Sequence, residues 1–560
     1  MRNNIRKICA MSAALTFTAA MLVGCGGATE ETGEAVTGAN YVQNTSNATY
    51  ADMADVDRGV AVTTMMENIY APAEEAEGVM IAEEDYGYEL PNTEEYNHLE
   101  ENGFQAVAQK PLSTFSADVD TASYANLRRM IYYGWDIDPD AVRIEEMINY
   151  FDYDYDDPKE GEPFSVYTEY ADCPWNSETK LFMAGLSTKS LDTQLTDREP
   201  MNLVFLIDVS GSMYSDDKLP LVQKSFSLLT DNLSDKDRIS IVTYAGEDAV
   251  LLEGADGGDR EKVLQVIDSL EAGGSTAGAA GIVTAYEIAE KYFIEGGNNR
   301  VILATDGDLN VGLSSEEELT GLIEEKRESG VFLSVLGFGT GNYKDNRLEA
   351  LADHGNGNYS YIDSPREAKK VLVDEMSGTL YTAAKDVKFQ IEFNPAEVKG
   401  YRLIGYENRK MADRDFADDT KDAGEVGAGH SVTVLYEIIP TDSDIDMGDI
   451  DLKYSEKSET GADSTGDLLT VSIRYKEPDG DTSKLLEYPI SAETYAPEMT
   501  ERMNFAAAVT EFGMLLRGSR YAGNIDYEDV MKLYHKYDYS GDEYKNEFYD
   551  MVETVGELSE

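Results

Sequence analysis

Continuous apolar segments alternate with amphipathic ones through the middle of the chain. Each of the five apolar segments has the length of a strand buried on both faces, and one or two segments with helical periodicity follow it. The apolar segments occupy residues 203–207, 239–244, 301–305, 331–338 and 359–362. The helical segments occupy residues 218–232, 260–271, 277–293, 315–329, 344–353 and 365–380. This alternation predicts a doubly wound, mostly parallel α/β sheet with helices on both faces.

Strand-like segments mark the regions on both sides of this α/β pattern. Two strands are expected before it, at residues 164–170 and 181–186. Five are expected after it, at residues 387–393, 401–406, 431–439, 449–454 and 468–475. We expect the strands from both sides to form one β-sandwich into which the α/β domain is inserted. Helices are expected at both ends: one capped by Thr121 or Ser123, one from about Pro139, and a helical region at residues 497–560.

A polar loop follows the first apolar segment. Asp208, Ser210 and Ser212 come directly after it, and Gly211 separates the two serines. The loops at the carboxyl ends of parallel strands surround the crevice in which open α/β sheets bind their ligands. One carboxylate and two hydroxyls are hard oxygen donors, which favour Mg²⁺, Ca²⁺ or Mn²⁺ over zinc or copper. A Ser-rich turn without a metal has the same local pattern, so this loop alone does not decide between the two.

Two later loops contain further oxygen donors. Thr276 ends a Gly-Gly-Ser-Thr segment in front of a helical stretch, and Asp306 follows the apolar segment at residues 301–305. The set Asp208, Ser210, Ser212, Thr276 and Asp306 resembles the metal-ion-dependent adhesion site of von Willebrand factor A domains. The resemblance implies that both serines and either the threonine or the last aspartate ligate a divalent cation, while the remaining group acts through water. It also implies that an acidic residue of a partner protein takes the last position. Mg²⁺ is the expected cation, with Ca²⁺ or Mn²⁺ as alternatives.

The first residues of the chain have the pattern of an export signal. Arg2, Arg6 and Lys7 precede an apolar stretch that is too short for a good membrane span. The stretch ends in Leu-Val-Gly-Cys, which resembles a bacterial lipobox. Residues 1–24 are therefore predicted to be a lipoprotein signal peptide and Cys25 the lipidated residue; an ordinary cysteine in a signal segment is the alternative. The expected location is the extracytoplasmic face of the cell membrane, reached through the lipid anchor.

The composition of the chain limits the classes of partner that it can bind. The formal net charge is −62, and residues 25–100 are rich in Glu and Asp, so this segment is predicted to be an acidic, disordered tether. Nucleic acid is excluded as a partner because phosphate recognition needs a basic face. Of the three cysteines, Cys9 and Cys25 belong to the predicted signal and anchor. Cys173 then has no disulfide partner, and we expect it to be a buried, inert thiol.

Four more segments resemble the regions that flank the A domain in bacterial YfbK-type lipoproteins. They are residues 111–123, 143–151, 401–409 and 422–430. The similarity covers nearly the whole chain after residue 105. We therefore expect an N-terminal A-domain-associated region, the A domain, a β-rich domain and a C-terminal helical region. Their expected bounds are residues 101–195, 196–382, 383–492 and 493–560.

The chain contains no recognisable enzyme motif. It has no Gly-x-Ser-x-Gly, no His-Glu-x-x-His, no phosphate-binding loop, and only four histidines. We interpret it as a membrane-anchored, non-enzymatic protein that binds a protein ligand presenting Asp or Glu, with no small-molecule substrate. The alternative is a structural or assembly component of an envelope complex, in which the metal only stabilises the fold. Asp118 with Asp120, and Glu425 with His430, are interpreted as turn residues rather than as a metal site and a catalytic pair.

Overall fold

The computed structural model describes residues 93–190, 198–275, 278–307, 316–341, 343–421, 423–447, 466–478, 480 and 482–559. Tyr88–Glu560 forms one compact unit. The predicted signal peptide, Cys25, Thr276 and the predicted strand at residues 449–454 lie outside the described residues. Among the helices that the structure describes, none has the length and apolarity needed to cross a membrane.

A six-stranded sheet forms the centre of the α/β domain. Its strands, in spatial order, are Tyr359–Ile362, Phe332–Phe338, Asn298–Thr305, Met201–Asp208, Arg238–Tyr244 and Asp248–Asp256. The first five are parallel, as predicted, and the sixth pairs antiparallel with its neighbour. The sequence pattern missed this sixth strand because it lies at the sheet edge with most of its side chains exposed or half-buried. The chain winds in both directions from Met201–Asp208, which places a switch point beside this strand.

Helices cover both faces of this sheet, which confirms the predicted doubly wound fold. They are Leu219–Thr230, Arg260–Asp268, Gly278–Lys291, Glu316–Arg327 and Asp345–His354. Side chains of the central strand alternate between two cores: Phe205 and Ile207 belong to one, and Val204 and Leu206 belong to the other. The apolar run therefore has no polar positions because neither face of the strand meets water.

The last segment of the α/β domain differs from the prediction. A single helix was expected at residues 365–380, but the structure has Pro365–Lys369, a π-helical turn at Lys370–Asp374, and Met376–Leu380. Met376–Leu380 packs against a short strand, Gly424–Gly427, that stands where the sequence predicted a turn. The approach is so close that a Cβ atom on Gly378 would collide with the ring of His430.

Two antiparallel sheets form a β-sandwich. One consists of Gln105–Ala106, Val398–Ile404, Ser431–Pro440, Lys180–Thr188 and Phe164–Asp172. The other consists of Gly424–Gly427, Thr382–Phe393, Asp467–Lys476 and Lys484–Ser491, with Leu112–Ser116 paired to Thr382–Phe393. Strands from before and after the α/β domain thus share both sheets. Their side chains form one core that includes Phe182, Phe389 and Val471.

Helices from the two ends of the described chain pack together in a separate core. They are Ala122–Tyr133, Ile144–Asn149, Glu501–Arg517, Tyr527–Tyr534 and Glu543–Ser559, with a 3₁₀ turn at Pro139–Ala141. The expected side-chain cap is absent from the first helix. Thr121 stands at its N-cap without a side-chain hydrogen bond, and the Ser123 hydroxyl donates to the carbonyl of Ala141 at 2.7 Å instead. Ser123 is buried against that turn, so its hydroxyl bonds there rather than to its own helix.

Candidate metal site

Asp208 is the last residue of the central strand Met201–Asp208 and is fully buried. Its Oδ1 atom accepts a hydrogen bond from the backbone N–H of Ser210 at 2.9 Å. Its Oδ2 atom accepts one from the hydroxyl of Thr305 at 3.1 Å. Thr305 ends the neighbouring parallel strand, so the two strands together fix the orientation of this carboxylate at the carboxyl edge of the sheet.

Ser210 and Ser212 lie side by side in the loop after that strand. Their Oγ atoms are 3.0 Å apart; Ser210 is buried, whereas Ser212 is exposed. Met213 belongs to the same short turn, Gly211–Tyr214, and is buried in the core beneath it. Apolar packing therefore anchors the turn, and two hydroxyl oxygens this close can face one small cation together.

The loop with the Gly-Gly-Ser-Thr segment is hydrogen-bonded to the serine loop. Gly273 N–H donates to the carbonyl of Val209 at 2.8 Å, and Gly211 N–H donates to the carbonyl of Gly274 at 3.1 Å. Gly274 has a φ of +86°, a conformation that favours glycine. The structure therefore brings the residues before Thr276 to the site, while the role of Thr276 as a ligand stays a prediction.

Asp306 follows the strand Asn298–Thr305 and is also buried. Its Oδ2 atom accepts a hydrogen bond from Nζ of Lys218 at 2.9 Å, and both side chains are almost completely buried. Lys218 directly precedes the helix Leu219–Thr230. The sequence interpretation placed a helix start near this residue but missed its part in the site. Lysines are common beside helix starts on protein surfaces. The local sequence does not indicate which group the ammonium of such a lysine contacts.

The site holds two buried carboxylates that repel each other. Burial is the main cause that raises the pKa of Asp208 to about 6, and the charge of Asp306 acts in the same direction. The hydrogen bonds from Ser210 and Thr305 to Asp208 oppose this rise. Within the described part of the chain, Lys218 forms an ion pair with Asp306, but no basic side chain forms one with Asp208. A divalent cation at this point would offset the excess negative charge.

The donor set fits a magnesium-type cation. Mg²⁺ in proteins uses one or two carboxylates and keeps several waters, and neutral hydroxyl oxygens complete its preferred ligands. Across the described residues there is no cluster of three His, Cys, Asp or Glu suited to a metal. The present site is of a different kind, because Ser210 and Ser212 supply neutral oxygens beside the carboxylates of Asp208 and Asp306.

Comparison with known families identifies the chain. Residues 202–374 match the von Willebrand factor type A domain, residues 90–183 match a family described as von Willebrand factor, and residues 378–558 match "Uncharacterized protein YfbK, C-terminal". "Uncharacterized protein YfbK" of Escherichia coli (strain K12) is 44% identical over 448 residues, which is 79% of this chain and 77% of that protein. The chain belongs to the YfbK family.

Other similarities of this YfbK-family chain are more limited. Inter-alpha-trypsin inhibitor heavy chain H3 of Homo sapiens is 26% identical over 197 residues, which is 33% of this chain and 22% of that protein. Among solved structures, a von Willebrand factor type A protein from Catenulispora acidiphila aligns at 15% identity with a TM-score of 0.37. That alignment covers 67% of this chain and 86% of the solved one. The match of residues 202–374 to the von Willebrand factor type A domain confirms the expected A domain.

The structure also shows the surroundings of three other residues that the sequence analysis singled out. The Oδ1 atom of Asp118 accepts a hydrogen bond from the backbone N–H of Asp120 at 3.0 Å, as in a turn. Both aspartates also contact Arg409. Cys173 is buried, and burial raises the pKa of its thiol, as expected for an inert cysteine.

Proposed function

We propose that this YfbK-family protein binds a partner protein through a divalent cation, and that the cation captures an Asp or Glu side chain of the partner. The proposed ligands are Asp208, Ser210, Ser212, Thr276 and Asp306. The observation that carries the proposal is the convergence of two buried carboxylates and two adjacent hydroxyls on one edge of a von Willebrand factor type A sheet. Mg²⁺ is the first choice, and Ca²⁺ or Mn²⁺ would suit the same oxygen donors.

The residues of the site have separate tasks. Ser210 and Ser212 present two neutral oxygens, and Asp208 presents a carboxylate whose orientation is already fixed by hydrogen bonds. A bound cation would supply a positive centre that attracts a further oxygen ligand. Neutral hydroxyls leave more of its charge uncompensated than carboxylates would, so an incoming carboxylate gains a strong electrostatic contact. No catalytic activity and no small-molecule substrate are assigned, and the matched family descriptions name no enzyme family.

The proposal includes a location on the extracytoplasmic face of the membrane, with a lipid anchor on Cys25. Its support is the basic start, the short apolar stretch and the Leu-Val-Gly-Cys sequence at the first residues. Fractionation of cells tests it. Cys25→Ala is expected to abolish lipidation and maturation at this position, whereas Cys9→Ala, a cysteine inside the predicted signal, is expected to leave both unchanged. Incorporation of labelled fatty acid that persists in Cys25→Ala would contradict the anchor.

Capture of partners from envelope extracts tests the binding function. The wild-type chain is expected to retain a partner in Mg²⁺, to release it in chelator, and to lose it in the Asp208→Ala variant. The alternative, an assembly component with a purely stabilising metal, predicts a clear fall in melting temperature on chelation and binding that does not involve a carboxylate. Thermal melts with and without chelator, on the same samples, separate the two functions.

A further inference from the structure

We infer that Lys218 is a built-in cation of the metal site: it neutralises Asp306 when no metal is bound, and it gives the metal-loaded site a net positive charge for an acidic ligand. The inference rests on the proposed function and deepens it. Its basis is the ion pair between Nζ of Lys218 and Oδ2 of Asp306, in which both side chains are more than nine-tenths buried.

The fold directs this lysine into the site from two sides. Lys218 directly precedes the helix Leu219–Thr230, and its carbonyl accepts a hydrogen bond from the N–H of Val222. From the other side, Gly339 covers the aliphatic part of the lysine so closely that a Cβ atom would collide with it. Gly339 has a φ of +80°, and its carbonyl accepts a hydrogen bond from the hydroxyl of Tyr361 at 2.8 Å. The loop is therefore held over the lysine side chain, whose ammonium meets Asp306.

Charge counting shows what the lysine does. With both carboxylates ionised, Asp208, Asp306 and Lys218 together carry one net negative charge, and a divalent cation changes this to one net positive charge. Without the lysine, the same site would change from two negative charges to neutral. Lys218 therefore weakens the attraction for the metal, and it strengthens the attraction of the loaded site for a carboxylate.

The same ion pair stabilises the folded A domain when no metal is bound. A buried carboxylate without a counter-charge is strongly unfavourable, and Lys218 supplies that counter-charge to Asp306 before any metal arrives. The A domain is then folded with or without metal, so the cation can act as an exchangeable contact to a partner. This is the property that separates an adhesion site from a site in which the metal maintains the fold.

Three variants of the full chain test the inference. Lys218→Met removes the charge and retains the apolar stem, Lys218→Gln removes the charge and retains a donor, and Lys218→Arg retains the charge. We expect Lys218→Met and Lys218→Gln to tighten Mg²⁺ binding by about tenfold or more in calorimetry, and Lys218→Arg to bind Mg²⁺ about as tightly as the wild type. In chelator, Lys218→Met and Lys218→Gln are expected to have lower melting temperatures than the wild type, and Mg²⁺ is expected to restore those temperatures.

A carboxylate probe supplies the second readout. Fluoroacetate observed by fluorine NMR in saturating Mg²⁺ is expected to bind the wild type and Lys218→Arg more tightly than Lys218→Met or Lys218→Gln. Mg²⁺ affinity that is unchanged or weaker in both charge-removing variants would overturn the inference, even if the wild type binds Mg²⁺ through Asp208. A wild type without Mg²⁺ binding would overturn the proposed function and the inference together.

Discussion

The hydroxyl of Thr305 donates a 3.1 Å hydrogen bond to Oδ2 of Asp208, and this bond joins the ends of two neighbouring parallel strands. Thr305 also accepts a hydrogen bond from the N–H of Gly307 at 3.2 Å. One buried hydroxyl thus connects the first and the last loop of the proposed metal site. Its position at the sheet edge orients Asp208 before a cation binds.

Thr305→Val removes that hydroxyl and leaves the shape of the side chain unchanged. We expect it to lower the free energy of unfolding by about 1–3 kcal/mol, because a buried carboxylate loses a donor. Urea denaturation in chelator measures the effect. Thr243→Val is the matched control: Thr243 lies on the strand that pairs with the other side of Met201–Asp208, and its hydroxyl donates a long hydrogen bond of 3.5 Å to the carbonyl of Ala249. An equal loss of unfolding free energy in both variants would show that the hydrogen bond to Asp208 contributes no additional stability.

Arg409 links the β-sandwich to the A domain. Its guanidinium contacts Asp118 at 2.8 Å, and also Glu349 and Asp353 of the A-domain helix Asp345–His354 at 3.0 and 2.6 Å. Arg409→Met would leave buried carboxylates without this counter-charge, so we expect a loss of about 3–5 kcal/mol in the free energy of unfolding.

The exposed Arg414 is the control for this change, because its side chain is 87% exposed and lies near Asp415. Arg414→Met is expected to change the free energy of unfolding by less than about 0.5 kcal/mol. Chemical denaturation of both variants gives the comparison. A tolerated Arg409→Met would mean that the A domain and the sandwich hold together without this arginine.

The buried carboxyl of Glu145 is expected to make the stability of the folded protein depend on pH. Glu145 is fully buried, and within the described residues neither of its carboxylate oxygens has a hydrogen-bond partner. Burial, followed by the charge of Glu407, raises its pKa to about 8, although Arg517 opposes the rise. The folded state therefore keeps a proton that the unfolded chain loses, so the stability from this group falls as pH rises from about 4.5 to about 8.

Glu145→Gln mimics the protonated form. We expect it to melt close to the wild type near about pH 5 and above the wild type near about pH 9. Glu146→Gln is the control, since Glu146 accepts hydrogen bonds from Arg143 and from the N–H of Ser123. Because Glu146→Gln weakens these hydrogen bonds, it is expected to have a lower melting temperature than the wild type at both pH values. If Glu145→Gln gains nothing at high pH, the carboxyl of Glu145 is not a protonated buried group.

Five of the six strands in the A-domain sheet were predictable because their chemistry is local. Residues such as Val204 and Phe205 need no polar alternation when helices cover both faces, so the run itself reveals the strand. The location of Asp208, Ser210, Ser212 and Asp306 at one edge of the sheet was predictable for a related reason: parallel strands end at one edge, and a short motif follows each strand end. Their role as metal ligands stays a prediction.

Lys218 and Arg409 could not be predicted in the same way. Each acts through a long side chain whose partner is distant in sequence: Lys218 reaches Asp306, and Arg409 reaches Asp118. Such contacts depend on how separate elements pack, and nothing beside either basic residue marks its target. The broken helix after Pro365 has a similar cause, because its last turn fits against a strand from another part of the chain.

Calorimetric titration of the full chain with Mg²⁺ tests the central claim most directly. The experiment compares the wild type with Asp208→Ala and with Asp248→Asn, an acidic residue of the edge strand that bonds to Thr284 rather than to the site. The control is needed because a chain of net charge −62 also attracts Mg²⁺ nonspecifically. We predict one saturable site in the wild type and in Asp248→Asn, and its loss in Asp208→Ala. Saturable binding that persists in Asp208→Ala, or no saturable binding in the wild type, would contradict a cation-dependent adhesion site.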